Sequence, residues 1–245
     1  MQRNIKAVLA YKGTNYHGFQ RQNNAVSVQG ILEDRLSRLC NEKIAVCGCS
    51  RTDAGVHAAE YVISFKTAST VPCENMIRGM NSLLPEDIAV LSCCDMPEEF
   101  HARYSCKGKE YVYKIFSRDV PDPFLRDVSL YYPYKADEVL MNRAAGYFMG
   151  THDFSAFCGA PGAKENSVRT VTDSRVDRQG DMIYFTVSGD GFLYNMVRIM
   201  AGTLIYVNEG RLSPEDIPGI IESRDRKMAG VTAKPWGLHL QRVFY

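Results

Sequence analysis

The sequence predicts a mixed α+β protein built as two halves, each with a mainly antiparallel sheet. Three observations carry this. Short alternating apolar runs and two helical stripes follow one another in the order β-α-β-β-α-β over the first hundred residues. A looser version of that order recurs in the second half. The polar run Asp95-Met96-Pro97-Glu98-Glu99-Phe100-His101 lies between them as a linker. A chain of 245 residues has room for two such units, here placed at 1–105 and 106–245.

The first half begins with an alternating strand over residues 5–11, ended by the turn Lys12-Gly13-Thr14-Asn15. Val28, Ile31, Leu32, Leu36 and Leu39 repeat at helical spacing over 28–40. Apolar runs at 44–49 and 61–65 read as strands, and Pro72 opens a second helix containing Met76, Ile77 and Met80. Pro85 stops that helix, and 88–91 is a fourth strand. This order is the ferredoxin-like (RRM-like) split βαβ, with both helices on one face of the sheet.

The second half opens with a strand over 109–116, Tyr111 and Tyr113 sharing one face and Val112 the other. Residues 119–126, with Pro121 and Pro123, form a loop, and 136–150 is helical. A Gly/Pro/Ala/Lys loop covers 159–167. Residues 171–176 and 183–187 make a hairpin turning at Gln179-Gly180-Asp181. A strongly apolar helix spans 193–207 and ends by Gly210; a short helix at 216–222 follows Ser213-Pro214, and 237–245 is a final strand. Two α+β halves of this kind can join their sheets edge to edge around a central cleft.

Composition excludes several classes. Hydrophobic residues make up 45% and charged residues 23%, ordinary globular usage. No apolar run nears the roughly 20 residues needed to span a bilayer. The start, Met1-Gln2-Arg3-Asn4-Ile5-Lys6, has no signal-peptide core, so a cytosolic protein without membrane contact is expected. The eight cysteines show no C-x-x-C spacing, which argues against a structural zinc site; most are expected as buried thiols. The net charge of +1 gives no bulk attraction for nucleic acid. Its distribution is uneven, however. Residues 1–24 carry Arg3, Lys6, Lys12 and Arg21 with no acid, and 101–118 carry Arg103, Lys107, Lys109, Lys114 and Arg118 against Glu110 alone. Two basic faces can neutralise phosphates, and lysines can equally guard solvated strand edges.

The run Ser50-Arg51-Thr52-Asp53-Ala54-Gly55-Val56-His57-Ala58 displays one carboxylate on a tight connection between strands. An Asp in Asp-Ala-Gly is commonly a turn residue. Here Arg51 and His57 share the loop, a set that can keep Asp53 ionised and draw in an anionic ligand. In Lys107-Gly108-Lys109-Glu110-Tyr111-Val112-Tyr113, basic and aromatic residues interleave on a strand. That suits stacking on an unpaired base with lysines on the backbone; a half-buried Tyr-rich strand is the plainer reading. Arg198 lies among Val197, Met200 and Ala201 on an apolar helix. It is either a buried cation requiring a partner or an edge residue snorkelling to water.

The nine-residue run resembles the signature of the tRNA pseudouridine synthase A family, Gly-Arg-Thr-Asp-Ala-Gly-Val-His-Ala, with Ser50 in place of the first Gly. Further segments resemble that family in order: residues 11–22 (with Lys12 for an acid), Met80-Asn81-Ser82-Leu83-Leu84-Pro85, Phe100-His101-Ala102-Arg103, Gly150-Thr151-His152-Asp153-Phe154, Arg169-Thr170-Val171, and Ala233-Lys234-Pro235-Trp236-Gly237-Leu238-His239-Leu240 with Lys234 and Trp236 as variants. The resemblance implies conversion of uridine to pseudouridine in the anticodon stem-loop of tRNA, at positions 38, 39 and 40. It implies Asp53 as nucleophile, Tyr111 (with Tyr113 as second choice) stacking on the target uracil, and Arg198 paired with Asp53. Leu238 then lines the base pocket, Arg51 takes the space of the flipped base and binds phosphate, and His57, Arg21 and Lys109 serve as substrate contacts. No metal and no organic cofactor are implied, and the family's members are homodimers. An idle RNA-binding module and an Asp53/His57 hydrolase are the alternatives. The first needs no acid–arginine pair, and the second has no further carboxylate or Ser/Cys nucleophile motif nearby.

Overall fold

The structure, a computed structural model, describes residues 2–159 and 166–245. The chain divides into two compact units. The first comprises Met1–Lys107 with Leu240–Tyr245, the second Gly108–His239. The last six residues therefore fold with the first unit, not with the second half to which the sequence reading assigns them. The cause is the final strand, which continues past the second unit to pair with the first unit's sheet.

In the first unit the elements run β1 (Arg3–Tyr11), α1 (Val28–Cys40), β2 (Cys47–Gly48), β3 (His57–Thr67), α2 (Cys73–Leu83) and β4 (Ile88–Met96). β1 lies between β4 and β3, antiparallel to both. β2 pairs antiparallel with β3, Cys47 opposite Ser64. Helix α1 starts where Ser27 Oγ accepts the Gly30 N–H, and it ends at Asn41 in the left-handed region. Its buried stripe is Val28, Leu32 and Leu36; α2 contributes Met76 and Met80. These meet Ala7, Leu9, Ile63 and Phe65 on the sheet. The first unit thus keeps the predicted order of elements. Several boundaries move: the strand expected over 44–49 is reduced to Cys47–Gly48, β3 begins at His57, four residues early, and β4 runs on to Met96, past the expected 88–91 and into the segment read as a linker.

In the second unit β5 (Gly108–Ser117), β6 (Leu130–Tyr132), α3 (Glu138–Gly146), β7 (Gly150–Asp153), β8 (Val168–Gln179), β9 (Met182–Gly189), α4 (Met196–Asn208) and α5 (Asp216–Ser223) follow in order, and β10 (Leu238–Phe244) leads out of it. The sheet order is β5-β9-β8-β7, antiparallel throughout, with β6 added parallel to β5. Strands β6 and β7 are absent from the sequence reading, being three and four residues long with little alternation. The helix read over 136–150 stops at Gly146, and β7 begins at Gly150, the last residue of that reading. The loop read over 159–167 lies mostly outside the described residues. α4 is apolar nearly all round and sits inside the unit, as such a helix must.

The cysteine expectation is corrected. Of the eight, Cys49 alone is buried; Cys47 and Cys94 are exposed and the rest are half-buried. Among the described residues no helix is long and apolar enough to cross a membrane.

Candidate active site

Asp53 sits in the connection between β2 and β3, half-exposed. Its carbonyl accepts the Val56 N–H at 3.2 Å, closing a turn through Ala54 and Gly55. The segment at residues 13–19 supports this loop. Phe19 N–H donates to the Thr52 carbonyl at 3.3 Å, and Gly55 N–H donates to the Tyr16 carbonyl at 3.2 Å. The Tyr11 and Thr52 hydroxyls are hydrogen-bonded at 2.9 Å, and the Tyr61 hydroxyl donates to the Ser50 carbonyl. Phe19 stacks on Tyr61 with ring centroids 4.2 Å apart.

Two glycines make this approach possible. Gly18 has φ +86, and a Cβ there would stand 2.3 Å from the Thr52 carbonyl oxygen. A Cβ on Gly13 would stand 2.0 Å from the Val56 carbonyl oxygen. Either side chain would push the Asp53 loop off its bed. The two sequence segments that look like separate motifs are therefore one structural piece.

His57, read as a substrate contact, is 2% exposed, and its Nδ1 accepts the Gly13 N–H at 2.9 Å. It holds the Gly13 turn against the start of β3. Tyr16 has a similar duty: burial and its hydrogen bond to Asp87 push its hydroxyl well above the usual tyrosine range. Arg51 is exposed and, among the described residues, has no side-chain hydrogen bond or ion pair. Arg21 is exposed on the turn before α1, with an ion pair to Glu33 at 3.0 Å.

The second unit holds the other group of residues. Tyr111 and Tyr113 lie on β5 opposite Val187 and Phe185 of β9. Tyr113 is fully buried, its hydroxyl donates to the Lys234 carbonyl at 2.8 Å, and a Cβ on Gly237 would strike its ring. Burial pushes its hydroxyl far up, and the nearby Arg198 charge only partly offsets this. Tyr113 is thus a core residue with its polar end occupied. Tyr111 is 7% exposed and meets Phe192 edge-on, with centroids 5.2 Å apart.

Arg198 is half-buried in the first turn of α4. Its Nε donates to the Ala233 carbonyl and one Nη to Asn195 Oδ1, both at 2.8 Å. Asn195 takes a left-handed backbone, φ 60, at the helix start. Two bonds on different edges fix the plane of the guanidinium. The carbonyls of Ala233 and Lys234 therefore receive Arg198 and Tyr113 respectively, and the chain then turns through Pro235–Gly237 into Leu238, which is 6% exposed. Lys109 lies half-exposed at the start of β5, opposite Gly189.

Asp153 was not assigned from sequence beyond its place in a matching segment. It organises the end of β7. One carboxylate oxygen accepts the Ser155 and Ser167 hydroxyls, each at 2.6 Å, and the other pairs with Arg224 at 3.0 Å. Burial alone would raise its pKa; the Ser155, Ser167 and Arg224 contacts outweigh this and hold it below the usual carboxylate range.

The sequence model of the family described as tRNA pseudouridine synthase matches residues 7–105 and 144–245. The chain is 46% identical over 243 residues to the tRNA pseudouridine synthase A of Acetivibrio thermocellus, covering 99% of this chain and 100% of that one. It is 46% identical over 244 residues to the protein of the same name in Ruminiclostridium cellulolyticum, again with 99% and 100% covered. A Clostridium perfringens protein named tRNA pseudouridine synthase A 2 is 43% identical over 243 residues at the same coverage. With matches over nearly the full length of the relatives, the chain belongs to the tRNA pseudouridine synthase family.

Proposed function

We propose that this protein isomerises uridine to pseudouridine in tRNA, with Asp53 as the nucleophile. The observation that supports the nucleophile most is the bed beneath its loop: a single carboxylate on a turn fixed by two glycine contacts and five named hydrogen bonds. Preorganisation of this kind is what a reacting carboxylate needs. In the reaction the N1–C1′ bond of uridine breaks and a C5–C1′ bond forms. C5 gives up its proton, N1 ends protonated, and no electrons are gained or lost. The carboxylate forms a transient adduct at C1′ or at C6, or assists elimination to a glycal. The base leaves its stack to reach it.

The remaining roles belong to the same reading. Arg198, its plane set by Ala233 and Asn195, acts with Asp53 in the reaction. Tyr111 holds the flipped uracil. Leu238 lines the base pocket, and Arg51, Arg21 and Lys109 contact the RNA. The target is the anticodon stem-loop at positions 38, 39 and 40, bound by a homodimer of cytoplasmic subunits. Each unit is one ferredoxin-like half.

Release of tritium from tRNA carrying [5-³H]uridine tests the activity, because the label leaves only when C5 becomes bonded to the sugar. The wild-type protein is expected to release it, and mapped pseudouridine is expected at positions 38–40. Bound tRNA with no release would contradict the proposal, and release with pseudouridine elsewhere would correct the site assignment.

A further inference from the structure

We propose that Tyr104, carried with His101 and Arg103 on the loop before β5, is a stacking platform for an unpaired base of the RNA. The inference rests on the synthase reading for the identity of the RNA. It adds a recognition residue outside the Asp53 loop and outside β5.

The loop is unusually well tied down for one that presents an aromatic ring. Ala102 is fully buried; its N–H donates to Ser64 Oγ at 3.0 Å and its carbonyl accepts the Tyr245 hydroxyl at 2.6 Å. His101 N–H donates to Ser105 Oγ, and Ser105 N–H returns to the His101 carbonyl at 2.9 Å. His101 Nδ1 accepts the N–H groups of both Arg103 and Tyr104, at 3.1 and 3.3 Å. Beneath it, Phe100 packs on Tyr245, and the Lys6 ammonium lies 4.8 Å from the Tyr245 ring centre.

On this frame Tyr104 is 78% exposed. One side of its ring is backed by His101, with centroids 4.4 Å apart and planes 33° from parallel. Among the described residues its hydroxyl has no hydrogen bond. A large ring held by its backbone and a backing imidazole, yet left in water, has little further entropy to lose on binding. Such a ring offers a stacking face to any base, whatever its sequence.

The charge around it points to RNA. The Arg103 guanidinium is 5.9 Å from the ring centre, and Arg103 and Lys107 are both exposed with no ion pair among the described residues. Of the acids just before the loop, Glu98 is engaged by Lys66 at 3.4 Å. Residues 101–118 carry five cations against one acid. Aromatic ring and unpaired cations together fit a splayed base with its phosphates.

The test compares tRNA affinity and tritium release for the wild type, Tyr104→Ala, Tyr104→Phe and Arg103→Gln. Thermal melting checks the fold, which exposed positions leave intact. Tyr104→Ala is expected to weaken binding by about five- to a hundredfold, with kcat at saturating tRNA unchanged. Tyr104→Phe keeps affinity within about twofold, since the ring is retained. Arg103→Gln lowers the slope of log affinity against log salt by about one. Wild-type affinity in Tyr104→Ala overturns the proposal and leaves the exposed ring to a protein partner; equal loss in the Ala and Phe variants overturns stacking. A wild-type protein that binds tRNA without releasing tritium would end the synthase reading, while the affinities would still decide Tyr104.

Discussion

The two units fix their candidate residues by different means. In the first, Asp53 depends on backbone packing: Gly13 and Gly18 allow residues 13–19 to lie against Thr52 and Val56. In the second, Arg198 and Tyr113 depend on side-chain hydrogen bonds to neighbouring carbonyls, those of Ala233 and Lys234. A backbone bed tolerates no added atom. A side-chain clamp tolerates partial replacement. The same demand for a fixed group therefore yields sharp sensitivity to size in one unit and graded sensitivity to polarity in the other.

Gly18→Ala should break the first arrangement most severely. The positive φ and the 2.3 Å approach to Thr52 together should cost about 3 kcal/mol or more in urea unfolding, with turnover lost alongside. A variant as stable and active as the wild type would show that the bed is not needed. Arg198→Lys retains charge but loses the Nε bond to Ala233 and the planar fork. Turnover should fall by about a hundredfold with only a modest loss of stability; unchanged kcat would remove Arg198 from the chemistry.

Tyr113→Phe sharpens the contrast on β5. It removes the hydroxyl bonded to Lys234, so about 1 kcal/mol of stability should go while kcat stays within about twofold. If kcat collapses instead, Tyr113 rather than Tyr111 is the functional ring. The smallest effect concerns Asp153. Its folded carboxyl sits below the ordinary value, so its contribution is present above about pH 4 and is lost as pH falls through the lower, folded value. Asp153→Asn should therefore lose about 1 kcal/mol at pH 7, and the gap to wild type should close under acid. A gap that persists at pH 2 would assign the loss to packing.

Much of the first unit was legible because its signals are local. Ser27 caps α1, Pro85 ends α2's neighbourhood, and the 28–40 stripe has one period throughout. Asp53 was legible from its own run, and its neighbours from resemblance. What stayed hidden is tertiary. Nothing at Gly13 or Gly18 announces a partner some forty residues away, although two glycines five apart around Tyr16 were a clue. His57 reads as a ligand in sequence because a histidine beside an acid suggests chemistry. Only burial shows its Nδ1 engaged by Gly13. The strands β6 and β7 were invisible because three or four residues cannot display a period.

The most direct test of the account is tritium release from [5-³H]uridine-labelled tRNA by Asp53→Asn beside the wild type, with melting and tRNA binding measured on both. The account predicts release by the wild type and a loss of at least about a thousandfold in the variant, with fold and binding retained. Release by the variant within about tenfold of wild type would contradict Asp53 as the nucleophile.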